Sequence, residues 1–462
     1  MSYKNDYALI PNHDNTPEWD AYWKQIRIEY QQSIEEGLDI EQYKDLFEAV
    51  QNLPNNEHKE ALADVLFDIV KSAETKEGYK YNEPSDLEGI KALRKPYDFK
   101  MTKPADEAAL KEKISGAWYG RICGCLLGKT VEGMRNHELV PFLKESGNWP
   151  MHRYIYSTDV TDEVAAKYKF ALKTRCFADT VECAPWDDDT NYVVLAQILI
   201  NKYGRDFTPN NVLDLWIARQ PKNSYCTAER VAYLNYTRGF KAPDTAIYKN
   251  PYREWIGAQI RGDYFGYINP GNPELAAEMA WRDASISHVK NGIYGEMFAS
   301  AMIACAAVTD NIKDIIYGGL AQIPATSRLY ESVVRLINRY DEGVTREDAF
   351  ADIHATWDDR KDHDWCHTIS NALLVVASLL YGEGDFGKSI CMSVETGFDT
   401  DCNGATVGSI IGMRNGEAGI DEYWKKPTHG ILDTTIFGAS KSEITVLVDK
   451  TMKHLPENCE NN

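Results

Sequence analysis

The sequence predicts an all-α protein: one large helical domain over residues 106–462, preceded by a smaller N-terminal helical extension over residues 1–105. Three observations carry that prediction. Apolar residues recur at three- and four-residue spacing in segment after segment. Apolar–polar alternation of the strand kind is scarce. Apolar residues make up 44% of the chain and charged residues 26%, both near the globular average, so a packed core is expected.

The extension comes first. Residues 1–105 are rich in Glu, Lys, Asn and Gln, with amphipathic patches at 43–53 and 62–73. In the second patch Leu62, Val65, Leu66, Ile69 and Val70 share one helical face. The stretch 83–104 carries Pro84, Pro96 and Pro104 among charges and reads as a linker. From 106 onward, segments 114–128, 191–202, 295–308, 327–339, 372–381 and 405–413 read as helices. The longest apolar stretches, 297–308 and 372–381, fall short of the roughly 18 residues of a membrane span and read as buried helices. No internal repeat of solenoid length is apparent.

Charge and cysteines bound the function. The net charge is −20, from 50 Lys+Arg against 70 Asp+Glu. A field of that sign repels phosphate backbones and anionic lipid, so neither nucleic acid nor membrane is an expected partner. The start, Met1-Ser2-Tyr3-Lys4-Asn5-Asp6, has no apolar run of the secretory kind. The 10 cysteines show no CxxC pair and read as reduced thiols in a cytoplasmic protein. Nothing in the sequence sets an oligomeric state.

Two helices bear glycine rows: Gly116, Gly120, Gly124 and Gly128, then Gly404, Gly408 and Gly412. Glycine inside a helix costs about 1 kcal/mol against alanine, so a regular row needs a reason. Residues four apart share a face, and each row makes a bare strip for close backbone approach. A phosphate-cradling loop is the weaker alternative, because no GxxxxGK[ST] pattern is present.

Acidic clusters precede two helices. Trp186-Asp187-Asp188-Asp189-Thr190 places three carboxylates in a row. One Asp suffices for an N-cap, whereas three repel one another, and a divalent cation relieves that repulsion. Gly397-Phe398-Asp399-Thr400-Asp401-Cys402 carries an Asp-x-Asp alternation that converges on one ion. Oxygen ligands of this kind suit Mg²⁺, Mn²⁺ or Ca²⁺, and the EF-hand loop pattern is absent. Glu132 follows the first glycine row by a few residues; a solvated surface carboxylate is the other reading of it.

Taken together these segments resemble the ADP-ribosylglycohydrolase superfamily. Its first motif resembles GAxxGxAxGDAxGxPxE, and here Gly116 to Glu132 keeps the glycine spacing and the final Glu, with Cys125 for Asp and Thr130 for Pro. The second, [ST]DDT, is matched by Asp188, Asp189 and Thr190, with Asp187 in the Ser/Thr place. The third, DxD[TS], is matched by Asp399 and Asp401, with Cys402 in the last place. Segments 257–262 and 283–288 look like mid-chain segments of the family, and the resemblance runs from about residue 110 to 415.

That resemblance implies a large ADP-ribosylglycohydrolase-like helical domain holding two Mg²⁺ ions, with Mn²⁺ or Ca²⁺ as alternatives. The implied ligands are Asp187, Asp188, Asp189, Asp399, Asp401 and Cys402. Glu132 and Asp188 are the implied catalytic residues, Glu132 as general base on the attacking water or as the gate that positions it. His288, Trp186 and Phe398 are candidates to line or stack on a substrate; each also reads as a packing residue. The expected substrate is a small molecule or an ADP-ribosylated compound whose ribosyl bond is hydrolysed. A related glycosidase acting on another ribosyl or furanosyl compound, and a non-catalytic metal or nucleotide binder, are the alternatives.

Overall fold

The computed structural model of the protein describes residues 11–168 and 175–456. Helices dominate it, as expected. Among the described residues the strands are a short antiparallel pair, Ile431–Asp433 with Lys441–Glu443, late in the chain. No helix among the described residues is long and apolar enough to cross a membrane.

At the centre lie two helices, Glu107–Lys129 and Thr400–Asn415, packed face to face along their glycine rows. A Cβ at Gly116 would overlap the carbonyl oxygen of Gly412; at Gly120, that of Gly408; at Gly124, that of Gly404; at Gly128, that of Thr400. The pairing order runs in opposite directions along the two chains, so the helices are antiparallel. The C-terminal end of the first therefore meets the N-terminal end of the second, and Thr400 Oγ1 donates to the Gly128 carbonyl at 2.9 Å.

Around this pair the apolar runs form buried helices. Lys290–Ala306 and Thr368–Tyr381 contain the two longest apolar stretches, and the latter is buried from Thr368 to Leu380. Neither is amphipathic because each is covered on all sides. Pro273–Ala284 and Arg328–Asp341 pack outside them.

Residues 83–104 are more than a linker. They carry a helix, Leu87–Ala92, and Ile90 belongs to the main core. The Glu83 carboxylate is buried against Arg328, at 2.8 Å from its Nη2. A proline-marked charged stretch lies down on the body when its charges find buried partners, and spacing alone does not reveal those.

The extension has its own apolar cluster, with Ile26, Phe47, Leu66 and Val70 from the helices Ile26–Glu35, Lys44–Gln51 and Glu57–Ser72. Polar groups join it to the body. Arg253 pairs with Glu29 at 2.8 Å and with Glu36 at 2.5 Å. Glu254, fully buried, accepts from Gln32 at 2.7 Å, from the Asn291 backbone at 2.9 Å and from Arg328 at 2.7 Å. Glu35 meets His363 Nε2 at 3.0 Å and His367 Nε2 at 3.6 Å. Both rings accept a hydrogen bond at Nδ1, from Trp255 and from the Ile369 backbone. With Nδ1 of each ring taken by a donor, the Nε2 side of each ring is the one that faces the Glu35 carboxylate.

Candidate metal centre

The antiparallel glycine packing sets the centre. It carries the end of the Glu107–Lys129 helix, with Glu132 just beyond it, to the start of the Thr400–Asn415 helix, where Asp399 is the N-cap. A third helix, Asp188–Tyr203, points its own N-terminus at the same place. Two helix N-termini therefore face a shared acidic cluster, and their dipoles favour negative charge there.

Each carboxylate has a distinct role. Asp187 is the N-cap of its helix and accepts from the Asp189 backbone at 2.9 Å. The capping reading thus holds for one Asp of the three and leaves Asp188 and Asp189 in the first turn. Asp189 is fully buried and held by Arg121, whose Nη2 lies 3.0 Å from Oδ1 and whose Nε donates to the Asp189 carbonyl at 2.7 Å. Arg121 reaches Asp263 at 2.7 Å with its other arm. Carboxylate oxygens of Asp189 and Asp401 and the Cys402 sulfur lie within 4.8 Å of one another; so do those of Asp187 and Asp189 with the Cys125 sulfur. Asp188 and Asp399 stand outside both trios, though the backbone N–H of Asp399 is fixed by Asn371 Oδ1 at 3.2 Å.

A cation fits this donor set. Asp189 Oδ2 and Asp401 Oδ1 are buried without a hydrogen-bond partner. Burial, then the neighbouring carboxylates, pushes Asp188 and Asp401 well above the ordinary carboxylate range. Burial lifts Asp189 as well, even against Arg121. Asp399 rises to about 6, chiefly through burial, with Asp187 adding to it. So many carboxylates cannot all ionise at neutral pH without positive charge among them, and a divalent ion would supply it. Burial and the surrounding acids also push the Cys125 and Cys402 thiols up. The donor set is mostly carboxylate oxygen, which favours a hard ion.

Glu132, Asp188 and Trp186 are the members of the cluster that are not fully buried. The Glu132 side chain is 40% exposed and faces Arg175 at 3.9 Å. Withdrawal from bulk water, then Asp187 and Asp399, raises it to about 7. Trp186 is 50% exposed, with Lys129 5.3 Å above its ring, and is the one sequence-derived stacking candidate with an open face.

The other two aromatic candidates lie elsewhere. Phe398 is wholly buried, with its ring 4.9 Å from that of His354. It follows Gly397 at φ +80° and itself has φ +58°, so its buried ring anchors the strained turn that aims Asp399 and Asp401. His288 is 1% exposed and bonds Ser287 at 2.8 Å, inside a network of Arg261, Glu229 and Asp283. Stacking by Phe398 and pocket lining by His288 are thus replaced by packing. Segments 257–262 and 283–288 are structurally coupled all the same, since Arg261 of one grips Asp283 of the other.

Sequence reasoning passed over Arg121, Lys129 and Asp263 as parts of the centre. Arg121 and Lys129 fall at variable positions of the glycine motif, where spacing says nothing of them. For Asn371 the available signal, a polar residue opening an apolar helix, is equally that of a cap.

A family model described as ADP-ribosylglycohydrolase matches residues 106–461. No curated protein matches the chain. A solved structure titled "ADP-ribosylglycohydrolase-related protein complex" is similar at 13% identity and a TM-score of 0.47, over 76% of this chain and 99% of that one. The family match spans both glycine rows, both acidic clusters and Glu132, and on that ground the chain belongs to the ADP-ribosylglycohydrolase family.

Proposed function

We propose that the protein is a Mg²⁺-dependent glycoside hydrolase that cleaves a ribosyl bond in an ADP-ribosylated or related ADP-ribose compound. The observation that carries this reading is the convergence of Asp189 and Asp401, from segments far apart in sequence, beside a glutamate raised to about 7. Family membership supplies the reaction class.

Breaking the bond at C1 builds positive charge on the ribose ring, and an acidic cleft stabilises it. A bound Mg²⁺ would supply Lewis acidity toward vicinal ribose hydroxyls and toward the attacking water. Asp189 and Asp401 would hold that ion, with Arg121 fixing Asp189 in place. Glu132 takes the water's proton: it is exposed enough to meet a ligand, and its proton affinity is matched to neutral pH. Asp188, also not fully buried, orients the ribose. Trp186 offers a ring face to the base or the second sugar.

The test is turnover of ADP-ribosyl-arginine, O-acetyl-ADP-ribose and simple ribosides with and without Mg²⁺. Glu132→Gln is expected to keep fold and metal affinity and to lose about 10²–10⁴-fold in kcat. Unchanged kcat removes Glu132 from the chemistry. Turnover of simple ribosides alone points to another furanosidase, and metal binding with no turnover of any of the three overturns the hydrolase reading.

A further inference from the structure

Lys129 ends the first glycine helix, and its Nζ donates to Asp187 Oδ2. Asp187 is 2% exposed and Lys129 18% exposed, with the Trp186 ring covering the ammonium from outside. Asp187 stands where the family motif carries a neutral Ser or Thr, so its extra negative charge is met by a positive charge from the chain itself.

The other half of the cluster differs. Asp189 Oδ2 and Asp401 Oδ1 have no partner, although both side chains are at least nine-tenths buried. Their carboxylates lie with the Cys402 sulfur in a group spanning no more than 4.8 Å. At Asp187 the ammonium of Lys129 stands on the cluster side, whereas Arg121 grips only Oδ1 of Asp189 and leaves Asp189 Oδ2 and Asp401 Oδ1 open. A second divalent ion at Asp187 would have to displace the ammonium or sit against its charge.

We propose that Lys129 is a tethered cation occupying one of the two cation positions, so that the protein binds a single divalent ion, between Asp189 and Asp401. This rests on the metal-dependent reading above. Lys129 is here a positioning residue, setting the charge and ion count of the centre.

Mn²⁺ titration of the metal-stripped full-length chain, read by electron paramagnetic resonance of the unbound ion, measures the stoichiometry directly. The expected result is one Mn²⁺ per chain for the unaltered protein and for Lys129→Arg, and two for Lys129→Ala. Two ions on the unaltered protein overturn the inference while leaving the metal reading intact. One ion on a folded Lys129→Ala also overturns it, since the ammonium would then fill no ion position. No binding by any of these proteins overturns the metal reading and this inference with it. Circular dichroism verifies folding; should Lys129→Ala not fold, the unaltered protein and Lys129→Arg still decide between one ion and two.

Discussion

Arg121 is the hinge of the centre at the scale of single residues. It is 1% exposed, and its guanidinium spans Asp189, Asp263 and the Ile260 carbonyl. Burial works against its charge, but Asp263 and Asp189 together hold it firmly protonated. Lysine cannot replace such a fork, because a point charge does not reach three acceptors in fixed directions. Arg121→Leu leaves two buried carboxylates uncompensated, and a loss of about 3–5 kcal/mol in urea unfolding is expected. Glu132 is not fully buried, and Glu132→Gln should leave the urea midpoint nearly unchanged. The contrast separates a residue that holds the site from one that works in it. Glu132 and Asp189 were legible from their motifs. Arg121 was not, because its partners lie 68 and 142 residues away.

Elements are positioned by the glycine rows. Their spacing marks a bare strip on each helix before any partner is known, since it is a property of residues four apart. Which helix fills the strip is a separate matter: the structure pairs the two rows with each other, antiparallel. The consequence for the site is direct, because this pairing is what brings Glu132 to Asp399. Gly120→Ala should be severe. Its Cβ would overlap the Gly408 carbonyl oxygen, and backbone cannot swing aside as a side chain does. Overpacking of this kind costs about 1–3 kcal/mol or more, and the upper end is expected here, together with weaker Mn²⁺ binding as the helix ends separate. A Gly120→Ala protein with unaltered urea stability and Mn²⁺ affinity would show that the close approach is not required. Gly147, by contrast, has open space where a Cβ would point; there only its φ of +67° opposes a side chain.

Across the whole molecule, the extension and the acidic centre meet through one segment. His363 and His367 receive Glu35, while Cys366 lies 3.9 Å from Asp399 and Asn371 holds the Asp399 backbone. This junction carries a pH dependence. Burial lowers His367 to about 4 despite the nearby Glu35, so it stays neutral in the fold while the unfolded chain takes up a proton below about 6.5. Glu35 is pushed up by burial but drawn down further by His363, to about 2. Both groups bind fewer protons folded than unfolded, so both contributions are present at neutral pH and lost as pH falls. His367 loses its share between about 6.5 and 4, a matter of roughly 3 kcal/mol. Glu35 follows between 4.5 and about 2. The urea midpoint should fall steadily from pH 7 to pH 4, and less steeply in His367→Gln. A flat midpoint over that range in the unaltered protein would contradict the buried, neutral state of His367.

Much of this protein was determined by sequence alone: that it is helical, where its long helices run, which faces are bare, and which segments carry the acid. Those are properties of residues close along the chain, fixed by helical period and by the chemistry of adjacent side chains. The family followed from them, since its motifs are local patterns in a set order. Tertiary structure alone decided that Lys129 neutralises Asp187 across 58 residues, that Phe398 anchors a turn, and that residues 83–104 lie against the body. Each of those is a contact between distant parts of the chain. Such contacts are selected by how whole helices pack and by where buried charges find partners, and no local period encodes them.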